Sequence, residues 1–203
     1  VIEDCDDFII IEANAGESWS KLVDYSVEKG WGGIENLALI PGKVGAAPIQ
    51  NIGAYGVEVR DVIEKVTAFD MQMGELVTFS NEQCQFGYRS SFFKAAGRGR
   101  YFITSVVFKL SKKPILNLTY GPLNMAFSGR KQVSLKEICS EVKRIRQSKL
   151  PDPEQLPNSG SFFKNPVVDT ELADKLLDVF PDAPNYAQPN GQTKLAAGWL
   201  IEK

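Results

Sequence analysis

The sequence of 203 residues contains no histidine. That absence removes Ser-His-Asp triads, Cys-His pairs and every imidazole metal site, so proton chemistry would fall to Ser, Tyr, Lys, Arg, Asp or Glu. Cysteine is scarce: Cys5, Cys84 and Cys139 are odd in number, far apart and form no C-x-x-C pair. A zinc site or disulfide framework is therefore not expected, and a reducing cytoplasm fits best. No apolar run reaches the roughly 18 residues that span a bilayer, and no basic start with an apolar middle marks a secretory signal. Charge of one sign is also lacking, with 23 Lys and Arg against 25 Asp and Glu. Neither nucleic acid nor an anionic membrane is an expected partner. The G-x-G-x-x-G and G-x-x-x-x-G-K-[ST] spacings are missing, which excludes the Rossmann and P-loop readings. No carboxylate pair or acidic cluster suggests a glycosidase or a metal site.

What the chain does have is a glycine-rich stretch, GWGGIENLALIPGKVGAAPIQNIGAYGVEV, from Gly30 to Val59, holding seven of the seventeen glycines. Glycine at this density removes Cβ atoms along one side of the backbone and permits positive φ. Main-chain N–H groups can then approach a ligand and turn together toward an anion. A glycine-rich surface loop without a ligand is the alternative. The many apolar residues in the stretch, among them Ile34, Leu37, Leu39, Ile40, Val44, Ile49 and Ile52, are unlike a flexible linker.

Periodicity supplies the elements. Phe8–Ala13 is an apolar run of strand length, Val62–Asp70 alternates, and Glu75–Ser80 is expected to pair with it across Met73-Gly74. Tyr101–Leu110 is a strand rich in β-branched and aromatic residues. Glu17–Lys29 shows helical spacing with Trp19, Leu22, Val23, Ser26 and Val27 on one face, Ser18 as N-cap and Gly30 beyond the end. Ser134–Lys149 carries an S-x-x-E capping box and the stripe Leu135, Ile138, Cys139, Val142 and Ile145. Leu150–Gly160, with three prolines, reads as a boundary, and a short helix is expected over Thr170–Phe180 before Pro181. Clustered strands with a few helices and no regular βα alternation predict an α+β fold. Val1 is not a methionine, and KLAAGWLIEK stops within an apolar run, so the sequence reads as an internal piece of a longer chain.

Four stretches in order, IPGKVGAAPIQNIGAYG, FGYRSSFFK, KLPDP and GSFFKNP, resemble the UDP-N-acetylenolpyruvoylglucosamine reductase family, and the resemblance runs the length of the chain. It implies the second subdomain of a vanillyl-alcohol-oxidase-type FAD-binding module over Val1–Leu150, and the opening of an α+β substrate-binding domain over Pro151–Lys203. FAD as bound cofactor, NADPH as co-substrate and UDP-N-acetylglucosamine enolpyruvate as substrate follow from the same likeness. In that reaction NADPH reduces the flavin, which passes hydride to the enolpyruvyl double bond and yields UDP-N-acetylmuramate. A cytoplasmic monomer is the expectation.

The resemblance also assigns residues. Ser161 matches the serine that protonates the substrate carbon, although Ser159-Gly160-Ser161 by itself reads as a turn. Arg89 matches the arginine that stabilises the enolate. Its aromatic neighbours Phe86, Phe92 and Phe93 predict partial burial; a buried guanidinium calls for an anionic partner, and its planar fork suits a carboxylate or an electron-rich ring edge. Cofactor contacts are implied at Ile40, Pro41, Gly42, Val44, Gly45, Ala46, Gln50, Asn51, Gly53, Ala54, Tyr55, Ile103 and Arg146. Substrate contacts are implied at Tyr88, Tyr120, Lys149 and Asn165. Phe180–Glu202 resembles the insertion of a subclass whose mobile loop closes with a tyrosine, for which Tyr186 is the candidate. The family's first FAD subdomain would precede Val1 and its catalytic glutamate would follow Lys203, so this chain alone is expected to bind FAD weakly and turn over poorly. A flavin oxidase of the same superfamily and a non-catalytic sugar-nucleotide binding module are the competing readings.

Overall fold

The computed structural model describes residues 1–152, 155–157 and 163–203. The chain divides into two compact units, Val1–Leu150 and Pro151–Lys203. It is an α+β fold. Among the described residues no helix is long and apolar enough to cross a membrane.

The first unit begins with β1 (Glu3–Asp4), β2 (Phe8–Asn14) and α1 (Trp19–Glu28). After the glycine-rich stretch, which contains the small hairpin β3 (Gly53–Ala54) and β4 (Val57–Glu58), come β5 (Ile63–Asp70), β6 (Glu75–Ser80) and β7 (Tyr101–Ser111). Two helices, α2 (Gly121–Phe127) and α3 (Leu135–Gln147), close the unit. β1, β2, β7, β5 and β6 form one sheet in that order, every neighbouring pair antiparallel. β7 occupies the centre because its eleven residues, mostly β-branched or aromatic, can pair along both edges and be buried on both faces.

The strand alternation puts Ile9, Ile11 and Ala13 of β2 and Val66 and Ala68 of β5 into the core with Val106, Phe108 and Leu110 of β7. α1 covers this face with Trp19, Val23, Ser26 and Val27. The Trp19 indole N–H donates to the Leu37 carbonyl at 2.9 Å, and its ring lies 6.0 Å from Phe108. One side chain thus joins helix, sheet and glycine-rich stretch. Ser18 occupies the N-cap position without a side-chain cap hydrogen bond, and Gly30 ends the helix at φ +76°. α3 has the predicted capping box: Ser134 Oγ accepts from the Glu137 N–H, and Glu137 accepts from the Ser134 N–H at 2.9 Å. Its apolar stripe packs on α1 and on the turn at residues 35–37.

In the second unit β8 (Val167–Val168), β9 (Asn185–Ala187) and β10 (Thr193–Leu195) make a small antiparallel sheet with β10 in the middle. α4 (Thr170–Val179) falls where periodicity placed it, and α5 (Ala197–Glu202) ends the chain.

Candidate functional site

The glycine-rich stretch is sewn onto the sheet rather than looped into solvent. Gly45 donates its N–H to the Ala15 carbonyl at 3.0 Å, and Val44 donates to Glu17 at 3.0 Å. A Cβ on residue 45 would stand 2.5 Å from that of Ala15, so only glycine permits the approach. The N–H groups of Ala46 and Ala47 bond within the same turn. This corrects the expectation that these amides converge on an anion: over 44–47 they are committed to main-chain carbonyls. What the turn presents outward is a strip with Pro41, Gly42, Lys43, Ala46 and Gln50 exposed. Ile40, Gly45, Gly53, Ala54 and Tyr55 are half-buried. Val44, Asn51 and Ile103 are buried.

Backbone strain collects in this neighbourhood. Among the described residues five non-glycine residues have left-handed φ, and four of them, Leu39, Asn51, Tyr55 and Arg89, lie in or against the stretch. Such conformations cost on the order of 1–3 kcal/mol each and persist only where surroundings enforce them. The enforcing contacts are visible. Asn51, with no exposed surface, donates to Glu58 Oε2 at 2.9 Å and to the Gly87 carbonyl at 3.0 Å, and accepts from the Arg60 N–H at 3.1 Å. Its carboxamide is spent on the fold.

Arg89 is half-buried as expected, and its hydrogen-bond partners are carbonyl oxygens rather than a carboxylate. The guanidinium donates to the Gly53 carbonyl and, more weakly, to the Asn51 carbonyl at 3.5 Å, while its carbon lies 5.3 Å from the Tyr88 ring centre. Among the described residues no carboxylate pairs with it. Carbonyl oxygens orient a guanidinium without cancelling its charge, which leaves the positive charge available to an anion.

The second cluster is built on Tyr55 and Gly56, the turn of the β3–β4 hairpin, at φ +50° and +82°. The Tyr55 ring meets Tyr120 edge to face, centres 5.2 Å apart. Burial raises the Tyr55 phenol pKa, and the Arg146 guanidinium beside it pulls the other way. Arg146 itself donates through Nε to the carbonyl of left-handed Leu39 at 3.3 Å. The structure therefore gathers Arg89 and Tyr88 at one end of a short hairpin, and Tyr55, Tyr120 and Arg146 at the other.

Lys149 is exposed just past the end of α3. In the second unit Asn165 accepts the Ala197 N–H through Oδ1 at 3.0 Å, at the start of α5. Tyr186 is 42% exposed on β9, with the Lys194 ammonium 5.6 Å above its ring. Ser161 lies outside the described residues, as do the prediction of a turn at Ser159–Ser161 and the Pro153 end of KLPDP. Among the described residues no three His, Cys, Asp or Glu side chains converge as metal ligands. Burial pushes the Cys84 thiol up to about 12 and the Cys139 thiol up to about 11, so neither is a ready nucleophile.

Sequence reasoning missed the residues that hold the site together. Asn36 has no exposed surface and donates to the carbonyls of Tyr55 and Asn117 at 2.8 and 2.9 Å. Asn117 donates to the Gly56 carbonyl at 2.9 Å, and Ser91 to that of Ile49 at 2.6 Å. The one available signal was an asparagine inside the apolar run GIENLAL, a polar group that burial would oblige to find partners.

Residues 1–80 match the family model described as an FAD binding domain. Over 98% of the chain the sequence is 52% identical to the UDP-N-acetylenolpyruvoylglucosamine reductase of Neisseria gonorrhoeae, of which it covers 58%. The corresponding protein of Pseudomonas aeruginosa is 47% identical over all of the chain, covering 60% of that protein. The crystal structure of the Thermus caldophilus UDP-N-acetylenolpyruvylglucosamine reductase (MurB) superposes with a TM-score of 0.58 at 25% identity, over 91% of this chain and 61% of the other. The chain thus spans about three fifths of the length of the curated relatives it matches.

Proposed function

We propose that this chain, a member of the UDP-N-acetylenolpyruvoylglucosamine reductase family by sequence, forms part of an FAD- and NADPH-dependent reductase that converts UDP-N-acetylglucosamine enolpyruvate to UDP-N-acetylmuramate. Val1–Leu150 would belong to its flavin-binding module and Pro151–Lys203 to its substrate domain. The observation that carries this reading is the convergence on one hairpin of an unneutralised Arg89 and the Tyr55–Tyr120–Arg146 group, in a chain whose first 80 residues match an FAD binding domain.

The residues present fit a flavin. The exposed strip Pro41, Gly42, Ala46 and Gln50 offers main chain to a flat ligand, and a Cβ at Gly42 would meet nothing within 4 Å. Arg146 and Tyr55 place a cation and a phenol at the end of that strip. FAD, when bound, would supply the hydride relay between NADPH and the sugar's double bond. The protein's own work is binding, orientation and charge.

Arg89 would stabilise the negative charge that develops on the substrate carboxylate as the double bond accepts hydride. Its fixed carbonyl partners mean that little reorganisation is needed at that moment. Ser161 would deliver the proton to the adjacent carbon. Tyr88, Tyr120, Lys149 and Asn165 would hold the sugar nucleotide, and Tyr186 would close over it. To test this, the intact protein is mixed with NADPH and the enolpyruvyl UDP-sugar and the sugar's mass is followed. A gain of two hydrogens matched to NADPH oxidised supports the reading, and an unchanged sugar overturns it.

A further inference from the structure

Asn36 and Asn117, which lie outside the residues assigned to cofactor or substrate, share one task. The turn Tyr55-Gly56 exposes two carbonyl oxygens, and each accepts a side-chain amide: Tyr55 from Asn36 at 2.8 Å and Gly56 from Asn117 at 2.9 Å. Asn36 spends its second N–H on the main-chain carbonyl of Asn117 at 2.9 Å, which locks the two together. Asn117 Oδ1 then accepts from the N–H and hydroxyl of Thr119 at 3.2 and 2.7 Å. That fixes the backbone immediately before Tyr120, whose ring lies against Tyr55.

The orientation of Asn36 is not interchangeable. Its Oδ1 is buried without a hydrogen-bond partner among the described residues. Turning the amide over would satisfy nothing and would set that oxygen against two carbonyl oxygens. Both donors are used at the expense of an orphaned acceptor, which marks the donors as the reason for the residue. Gly56 cannot easily be replaced either: its φ is +82°, and a Cβ would stand 3.1 Å from the Asn117 amide.

We propose that Asn36 and Asn117 are positioning residues, a clamp that sets Tyr55 against Tyr120 and Arg146 and so couples the flavin contact to the sugar-nucleotide contact. This rests on the function proposed above. Asn36→Leu keeps the approximate shape, removes both donors and also removes the orphaned acceptor. Asn117→Ala removes one arm and leaves the core intact.

The test uses the intact protein and three readouts: the dissociation constant for UDP-N-acetylglucosamine, the position of the flavin absorption band, and the tyrosine signals of 13C-tyrosine-labelled protein without ligand. Urea unfolding first establishes that each variant is folded, and Asn117→Ala serves if Asn36→Leu is not. The clamp predicts that the Tyr55 and Tyr120 signals shift more than those of the other tyrosines. It also predicts a dissociation constant raised about tenfold, the scale of one lost hydrogen bond, and a displaced flavin band. The double variant should be no weaker than the worse single one, because both remove the same constraint. Folded variants with unchanged tyrosine signals, affinity and band would overturn the clamp, as would independent, multiplying losses. Shifted Tyr55 and Tyr120 signals in a protein that binds no sugar nucleotide would support the clamp while overturning the function it was assigned to serve.

Discussion

The Arg89 guanidinium lies directly over Gly53: it donates to the Gly53 carbonyl, and a Cβ added to residue 53 would stand 2.8 Å from Arg89 Nη1. The glycine is required by the arginine's position, with Glu58 and the Val57 carbonyl closing the space at 3.0 Å on the other sides. Gly53→Ala should therefore displace the guanidinium. If Arg89 has the role proposed here, the displacement lowers turnover about a hundredfold, the scale of an ångström-level misplacement, with a small fall in melting temperature. Gly16→Ala, where nothing lies within 4 Å, is the matched control and should behave as wild type.

Asp70 fastens the β5–β6 turn. Its carboxylate, 2% exposed, accepts from Arg100 Nη2 at 2.5 Å and from the Gln72 and Met73 N–H groups at 2.9 and 3.3 Å. The Arg100 hydrogen bond is the main cause that lowers its pKa from 3.8 to about 2. A depressed folded-state pKa contributes stability above the unfolded value and loses it as pH falls toward the folded one. Thermal melts should thus show a stability loss between about pH 4 and pH 2 that is reduced in Asp70→Asn, which is itself less stable at neutral pH. Glu137, lowered from 4.5 to about 2 chiefly by the Ser134 N–H, adds to the same acid limb.

Ser134→Ala removes the cap of the helix that carries Arg146. Loss of a serine N-cap typically costs about 1 kcal/mol. Urea denaturation should show that loss, with flavin affinity little changed because Arg146 lies in the last turn, where Leu39 holds it.

Cys84 and Cys139 are buried, and their thiols are raised by burial. A thiol reagent at pH 8 should leave Cys84 and Cys139 unlabelled in the folded protein and label both after denaturation. Rapid labelling of Cys84 or Cys139 in native protein would contradict their burial.

The extent to which the sequence foretold the structure follows the range of the forces involved. The long strands, α1, α3 with its capping box and α4 are set by local periodicity and caps, and they lie within a residue or two of where pattern placed them. α2 was not foreseen, because GPLNMAF has one weak apolar stripe and starts from a tyrosine that makes no side-chain cap. The Tyr55-Gly56 turn was not foreseen either. Tyrosine has no intrinsic preference for left-handed φ, and its conformation is imposed by Asn36 from 19 residues away. Glycine density marked a stretch where positive φ occurs, at Gly30, Gly33, Gly42 and Gly56. It could not show that the amides of Val44 and Gly45 point into the fold, since their acceptors Glu17 and Ala15 are distant in sequence. For Arg89, aromatic neighbours indicated partial burial, but only tertiary structure reveals carbonyls in place of a carboxylate.

The measurement that bears most directly on the account is a visible absorption spectrum of the intact protein, recorded anaerobically before and after NADPH and again after the enolpyruvyl UDP-sugar. The account predicts a flavin band that NADPH bleaches and the sugar restores without oxygen. A protein without a flavin band, or a bleached band that returns only when oxygen is admitted, would contradict it.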